Sequence, residues 1–146
     1  MVDPINMPEG LRDALMSTLP AVINAESLAL EGGSDPVFGT CRWRRLFCAD
    51  RTGTTGLIAG VAEFGPNDTL NPHRHGPAEI YFGLSGSGTV TIDGVAHAIA
   101  PGVAVYIPQE AEHGTVAGPD GLRFFYVFAR DRFSEVDYRF SDTVGR

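Results

Sequence analysis

The sequence predicts an all-β domain, a sandwich or barrel, preceded by a short helical segment. From Thr40 onward, short apolar runs alternate with turn residues at near-regular spacing. Asp93-Gly94 lies between two of these runs and is a strong signal for a tight hairpin. The chain has 146 residues and no internal repeat or linker. We therefore expect one domain, in which a helical segment, residues 1–39, packs on a barrel of residues 40–146.

The first third of the chain carries helical signals. Residues 8–19 place Leu11, Leu15 and Leu19 at i, i+4 and i+8, which is the spacing of one helical face. Residues 21–30 are expected to form a second helical piece. A leucine stripe is unfavourable in water, so we expect it to be buried against the barrel or against a second subunit.

The remaining chain divides into short predicted strands. They are residues 41–48, 55–64, 79–84, 89–93, 95–98, 103–107, 115–117, 122–129 and 136–140. Glycine-rich segments separate them, and 85–88 and 118–121 are predicted turns. Cys41 and Cys48 are seven positions apart, an odd spacing that puts them on opposite faces of one strand. Free buried thiols are therefore expected instead of a disulfide.

The charge of the chain limits its partners. The formal net charge is -7, and all 11 basic residues are arginine. An acidic surface disfavours nucleic acid and anionic membranes as partners, and the lack of lysine excludes Schiff-base chemistry and a P-loop. The acidic start of the chain does not resemble a signal peptide, and no apolar run reaches the length of a bilayer span. We therefore expect a cytoplasmic protein.

Histidines and a glutamate form the strongest chemical signal in the sequence. His73 and His75 are separated by one residue, so on an extended segment both side chains point the same way. Glu79 has the same parity. Two imidazoles and a carboxylate on one face are a ligand set for a divalent metal ion, and a third imidazole, His113, follows a later turn. Surface or core histidines with ordinary hydrogen bonds are the alternative.

These residues resemble the two sequence motifs of the cupin family, the first of which is H-x-H-x3-E-x6-G. The matching residues are His73, His75, Glu79, Gly86, Gly102, Pro108 and His113. The resemblance covers about residues 60 to 130. It implies a double-stranded β-helix, or jelly-roll, barrel in which the three histidines and the glutamate hold a metal ion.

The sequence departs from the cupin motifs at several positions. Gly65 precedes His73 by two residues more than the family pattern, which implies a longer or bulged loop. Glu110 stands where the second motif has its inner glycine, and Ala117 replaces its closing asparagine. Neither position is a ligand in the motif. His97 matches no ligand position and is expected on the surface of a hairpin.

The implied ligand set leaves a divalent ion with one net positive charge and open positions. Iron(II) is favoured, and manganese(II), nickel(II), cobalt(II) and zinc(II) also fit. Tyr81 lies two residues after Glu79 and shares its inward face on a continuous strand. Because a nearby cation lowers the pKa of a phenol, Tyr81 is a candidate general base. The alternative is a core tyrosine hydrogen-bonded to the backbone.

Within the cupins, the sequence resembles the small dimethylsulfoniopropionate (DMSP) lyases. The similarity lies in Glu79-Ile80-Tyr81 and in the aromatic segments 122–128 and 136–140. It implies that the metal binds the substrate carboxylate while a tyrosine removes the α-proton, releasing acrylate and dimethyl sulfide. The faces of aromatic rings bind cations such as a sulfonium. The alternative for each aromatic candidate is ordinary packing in the core. The candidate side chains are Trp43, Phe47, Tyr106, Phe124 and Tyr126.

Other functions fit the same residues. They are an iron dioxygenase, an isomerase of a sugar or keto acid, and a non-catalytic ligand-binding cupin. A phosphorylated sugar needs basic residues near the metal; Arg42, Arg44 and Arg123 are available, whereas Arg74 alternates away from the ligands. We favour a small carboxylate as the partner molecule. Because cupins are commonly dimers, the resemblance also implies a homodimer.

Overall fold

The computed structural model describes residues 8, 10, 11 and 19–141, which form mostly β-structure. The strands are β1 (Glu31–Gly32), β2 (Arg42–Phe47), β3 (Ile58–Phe64), β4 (Thr69–Arg74), β5 (Glu79–Ile92), β6 (Val95–Ile99), β7 (Ala104–Ile107), β8 (His113–Phe128) and β9 (Arg139–Phe140). Short helical pieces lie at Ala25–Ser27, Ala49–Thr52 and Phe133–Glu135. The predicted all-β class is confirmed.

Two long strands organise the sheet. β5 and β8 pair antiparallel over nearly their whole length, from Glu79 opposite Phe128 to Ile92 opposite His113. β8 also pairs with β4 through its first half and with β3 through its second half. β5 pairs with β6 and β7 as well. These branches, added to the order β1-β2-β3-β8-β4-β9, curl the sheet around an enclosed core.

The pleat decides which side chains face the interior. Along β5, Glu79 and Tyr81 are buried whereas Ile80 and Phe82 are exposed, which is the alternation of a strand with one buried face. Other strands contribute apolar side chains to the same interior. Among the most deeply buried are Ile58, Val90, Ile99, Ile107 and Phe124.

The turns predicted at 85–88 and 118–121 are wrong, because the chain continues through both segments as strand. Two register shifts between residues 83 and 88 mark the place where β5 bends against β8. Gly86 has a φ of 70°, and a Cβ atom on it would lie 2.2 Å from the carbonyl oxygen of Gly121. Gly86 therefore allows the backbones of β5 and β8 to approach closely, and it does not form the chain-reversing turn that was predicted.

Other strand predictions hold with shifted ends. Those at 55–64, 95–98 and 103–107 correspond to β3, β6 and β7 within three residues at each end. Of the strand predicted at 136–140, only the two residues of β9 are strand. The strand β4 was not among the predicted strands. In the segment 21–30, only Ala25–Ser27 is helical, as a 3₁₀ turn.

Most of the helix predicted at 8–19 lies outside the described residues. Gly10 and Leu11 are helical, and Leu11 and Leu19 are more than half exposed in the single chain. Burial of the leucine stripe stays a prediction, as does the division at residue 40. Of the described helices, none is long and apolar enough to cross a membrane.

An ion-pair cluster fastens the N-terminal segment to the sheet. β1 pairs with β2 along its edge, and Glu31 accepts hydrogen bonds from Arg45 at 2.7 and 3.0 Å. Arg51 donates to the same carboxylate at 2.8 and 3.2 Å. The hydrogen bonds from Arg45 outweigh the effect of burial and lower the pKa of Glu31 to about 2. Glu31 is therefore ionised at neutral pH and cancels much of the charge of Arg45.

The two cysteines are free and buried, as predicted. Burial raises the pKa of Cys41 to about 12 and that of Cys48 to about 11. Both thiols are therefore protonated at neutral pH, which is the unreactive form.

Candidate metal centre

Three histidines meet inside the barrel. His73 lies near the end of β4 directly opposite His113, the first residue of β8. His75 follows β4 on the same face as His73, as the alternation predicts. All three are almost fully buried, and one ring nitrogen from each lies within 4.8 Å of the others. This is the arrangement of three ligand atoms around one metal ion.

Backbone carbonyls orient each imidazole. The Nδ1 atoms of His73, His75 and His113 lie 2.7, 2.9 and 2.9 Å from carbonyl oxygens two residues away in the sequence. A carbonyl can only accept, so each Nδ1 carries the proton and donates it. Each Nε2 is then left with a free lone pair directed into the site. The rings are fixed in the tautomer that binds a metal through Nε2.

A carboxylate completes the cluster. Glu79 begins β5, and its Oε1 lies 3.2 Å from Nε2 of His75 and 3.3 Å from Nε2 of His113. Burial raises the pKa of Glu79, whereas His113 and His75 lower it below its usual value only when they carry a proton on Nε2 that they can donate to Oε1. The Nε2 atom of His113 is buried without a hydrogen bond. Acceptor atoms this close together need a proton or a cation between them.

The donor set therefore fits a divalent transition metal. Three neutral imidazole nitrogens and one carboxylate oxygen are ligands that iron, manganese, nickel, cobalt and zinc ions accept. Burial lowers the pKa of His73 to about 3, so this ring is neutral and keeps its lone pair at physiological pH. The structure brings together all four side chains that the cupin motifs single out.

A largely apolar cavity of about 240 Å³ adjoins the cluster. Of the predicted aromatic residues, Phe47 is not in the cavity lining, whereas Trp43, Phe124 and Tyr126 line the cavity. Tyr106 does not: it is 65% exposed on the outer face of β7. The prediction for Tyr106 is wrong because its neighbours Val105 and Ile107 take the inward positions of this strand.

Three further aromatic side chains in the cavity wall come from outside the cupin motifs. Phe38 packs on Trp43 at 4.9 Å and on Tyr138 at 5.7 Å between ring centroids. Phe133 also lines the cavity. The Tyr138 ring lies 5.8 Å from His73 and 5.5 Å from His75. Only the alternation of aromatic residues in the segment 136–140 could have pointed to Tyr138.

Tyr81 occupies the interior position that its parity predicts. It is buried in the cavity wall, stacked on Phe124 at 4.1 Å between ring centroids. Burial, and then the charge of Glu79, raise the pKa of Tyr81 well above 10. Burial has the same effect on the pKa of Tyr126, whose hydroxyl lies over Gly60 where a Cβ atom would clash at 2.3 Å. The chain alone therefore keeps these phenols neutral.

Of the arginines named as candidates for an anion, only Arg42 lines the cavity, and it has no ion pair among the described residues. Arg44 and Arg123 are bound to Glu63, at 3.4 and 2.9 Å, and neither lines the cavity. Arg74 is exposed, as predicted. Arg45 lines the cavity but is paired with Glu31 and lies 5.2 Å from the ring centroid of Phe133.

Comparison with known proteins gives the family. A family model described as a cupin domain matches residues 60–128. The dimethylsulfoniopropionate lyase DddW of Ruegeria pomeroyi is 55% identical over 122 residues, which are 84% of this chain and 80% of that protein. The chain belongs to the cupin family of this lyase.

Solved structures share the cupin jelly roll with this chain. The polyketide cyclase RemF of Streptomyces resistomycificus superposes with a TM-score of 0.74 at 23% identity, over 87% of this cupin and 89% of that chain. A chain from the crystal structures of the DMSP lyases RdDddP and RnDddQII superposes with a TM-score of 0.66 at 20% identity, over 90% of this cupin and 68% of that chain. These likenesses concern the fold and confirm the predicted barrel.

Replacing one imidazole tests the metal centre of this cupin. We expect His113→Ala to lower the amount of bound divalent metal by more than about tenfold. Losing a group that only hydrogen-bonds a metal ligand already lowers metal affinity by about tenfold or more, and losing the ligand itself should lower it further. His97→Ala is the matched control, since His97 is exposed on β6, as predicted. Elemental analysis of both variants, purified without chelator, makes the measurement. Full metal occupancy in His113→Ala would contradict the assignment.

Proposed function

We propose that this cupin is a metal-dependent carbon–sulfur lyase that cleaves DMSP to acrylate and dimethyl sulfide. The observation that carries the proposal is the 55% identity, over 84% of the chain, to the DMSP lyase DddW. The buried histidine cluster and the aromatic cavity beside it agree with this activity. The substrate is a small carboxylate whose opposite end is a sulfonium cation.

We further propose that His73, His75, Glu79 and His113 hold one divalent metal ion. Iron(II) is the favoured metal, and manganese(II), nickel(II), cobalt(II) and zinc(II) suit the same donors. The support is the set of three Nε2 lone pairs that converge beside an ionised carboxylate. When bound, such an ion attracts a substrate carboxylate and stabilises negative charge that develops next to it.

The aromatic wall is proposed to bind the sulfonium end of the substrate. Trp43, Phe124 and Tyr126 line the cavity, and Phe133 and Tyr138 extend this wall. A cation gains from contact with aromatic faces, more so where water is excluded. An acidic side chain is not required for this binding, because the positive charge of the sulfonium is spread over apolar methyl groups.

Tyr81 is proposed to act as the general base. A bound metal ion would lower the pKa of Tyr81 by its charge, so that the phenol loses its proton to solvent before the reaction. The phenolate oxygen then takes the α-proton of the substrate, and the C–H electron pair becomes the new carbon–carbon double bond. The Cβ–S bond breaks with its electron pair leaving on sulfur, so dimethyl sulfide departs neutral and acrylate keeps the carboxylate. Supporting this role, Tyr81 is buried in the cavity wall two residues from Glu79, and its ring stacks on Phe124.

The first test of the function is release of dimethyl sulfide. Purified protein supplied separately with each of the five metals, and then with DMSP, should release dimethyl sulfide into the headspace with at least one of them. A chelator should abolish the release, and returning the metal should restore it, because the site is then emptied and refilled. If none of the metals supports release, the lyase proposal fails.

The second test separates Tyr81 from the other phenols. We expect Tyr81→Phe to lower kcat/KM by about 10²–10⁴-fold, the usual contribution of a general base. Metal content and melting temperature should stay close to those of the wild type, because only one hydroxyl is lost. Tyr106→Phe is the control, since it removes an exposed hydroxyl from the outer face. A full rate in Tyr81→Phe would assign the base to Tyr126 or Tyr138 instead.

A homodimer is also proposed. Its support is a row of exposed apolar side chains on the outer face of the sheet, at Ile80, Phe82 and Leu84 on β5 and Tyr106 on β7. Patches of this kind mark contact surfaces on soluble proteins. Light scattering on the purified full chain should give twice the mass of one chain; a monomeric mass would contradict the proposal. The cytoplasmic location stays a prediction.

A further inference from the structure

The C-terminal segment forms one side of the cavity. β9 pairs with β4, with Phe140 opposite His73 and Arg139 opposite Arg74. Tyr138, which precedes β9, lines the cavity and lies close to the rings of His73 and His75. The position of this aromatic wall relative to the metal cluster therefore depends on how β9 is held against β4.

Glu110 supplies one of the contacts that hold β9. Its carboxylate forms an ion pair with the Arg139 guanidinium, and its backbone N–H donates to the carbonyl oxygen of His75 at 3.0 Å. One residue thus contacts both the segment that carries a metal-site histidine and the segment that carries Tyr138. Among the described residues, Arg139 has one further acidic neighbour, Asp137, at 3.6 Å. Asp137 lies on the same C-terminal segment and so cannot tie it to the barrel.

The backbone conformation at position 110 gives no reason for a glutamate there. Its φ is 62°, in the left-handed region that favours glycine over residues with a Cβ atom. Glycine is also what the second cupin motif has at this position. A glutamate in this conformation points to a role for its side chain, and among the described residues the ion pair of that side chain is with Arg139.

We propose that Glu110 is a positioning residue that acts through Arg139 to hold Tyr138 and the aromatic wall against the metal cluster. The expected effect on substrate binding rests on the proposed lyase function. The expected effect on the position of the aromatic wall does not depend on that function. Ser141 provides a second anchor, since its N–H donates to the carbonyl oxygen of Pro72 at 2.9 Å. Loss of the Glu110 carboxylate should therefore loosen the wall without detaching the segment.

The variant Glu110→Gly removes the carboxylate and places glycine at a position whose positive φ favours glycine. Its melting temperature should not fall, because glycine adopts the left-handed conformation without steric cost. Asn67→Gly is the matched control: Asn67 has a φ of 61° and lies in the turn between β3 and β4, away from the cavity lining. Both variants make the same kind of backbone change, and only Glu110→Gly removes an ion pair to β9.

Trp43 reports on the wall independently of catalysis. It is the one tryptophan in the sequence, it lines the cavity, and Phe38 bridges it to Tyr138. In Glu110→Gly we expect the Trp43 emission to shift to longer wavelength and its quenching by acrylamide to increase. Neither should change in Asn67→Gly. Glu110→Gln, which keeps the shape of the side chain without its charge, should show a smaller shift in the same direction.

Steady-state kinetics test the consequence for the substrate. In Glu110→Gly we expect KM for DMSP to rise about two- to fivefold, the range that one partly exposed ion pair can supply. The value of kcat should be nearly unchanged, because Tyr81 and the histidine cluster are untouched. A combined Glu110→Gly and Arg139→Gln variant should be no worse than Glu110→Gly alone, since both changes break the same contact.

Each outcome decides the proposal. Unchanged Trp43 emission and quenching in both Glu110 variants would overturn it, as would an equal shift in Asn67→Gly. A changed emission with unchanged KM would overturn its consequence for the substrate only. If the wild type releases no dimethyl sulfide, the lyase function fails, and the fluorescence result still decides whether Glu110 holds the wall.

Discussion

The hydrogen bonds from three Nδ1 atoms to backbone carbonyls are the interaction on which the rest of the site depends. They use the one proton of each neutral imidazole, so the Nε2 atoms of His73, His75 and His113 face one another without donors. Buried acceptors without partners are costly, and the carboxylate of Glu79 at 3.2 and 3.3 Å adds negative charge. A cation would remove this cost, so the three histidines and Glu79 are arranged as a site that could hold a metal ion.

The sheet holds these groups in place through pairing that is distant in sequence. β8 lies between β4 and β5 along its first half, which sets His113 opposite His73. The second half of β8 places Tyr126 opposite Tyr81 on β5. One strand thus carries a metal-site histidine at its start and a wall of the cavity near its end. The bend near Gly86 allows both halves to line the same interior.

Strand alternation was enough to predict that His73 and His75 share a face, whereas Glu79 and His113 begin other strands, β5 and β8, and their place in the cluster was implied by the cupin motifs. His73, His75 and Glu79 share a parity, and the structure places all three inside the barrel. Alternation could not predict that Tyr106 faces outward. It says that neighbouring residues of a strand face opposite sides, but not which of the two sides is the interior. It also could not predict Tyr138, because the segment that carries Tyr138 reaches the cavity only through the pairing of β9 with β4.

The distribution of charge around the cavity explains why a small zwitterion suits it better than a phosphorylated sugar. A divalent ion with Glu79 leaves one net positive charge at one end, which matches a single carboxylate. Arg44 and Arg123 are held by Glu63, and Glu31 offsets the charge of Arg45. Arg42 also lines the cavity and has no ion pair among the described residues, so it is the one cavity arginine left available to an anion there. Much of the remaining cavity lining is aromatic, which favours a weakly hydrated sulfonium cation over a further anion. The pairing of Arg45 with Glu31 thus lowers the positive charge that the cavity presents and contributes to its specificity.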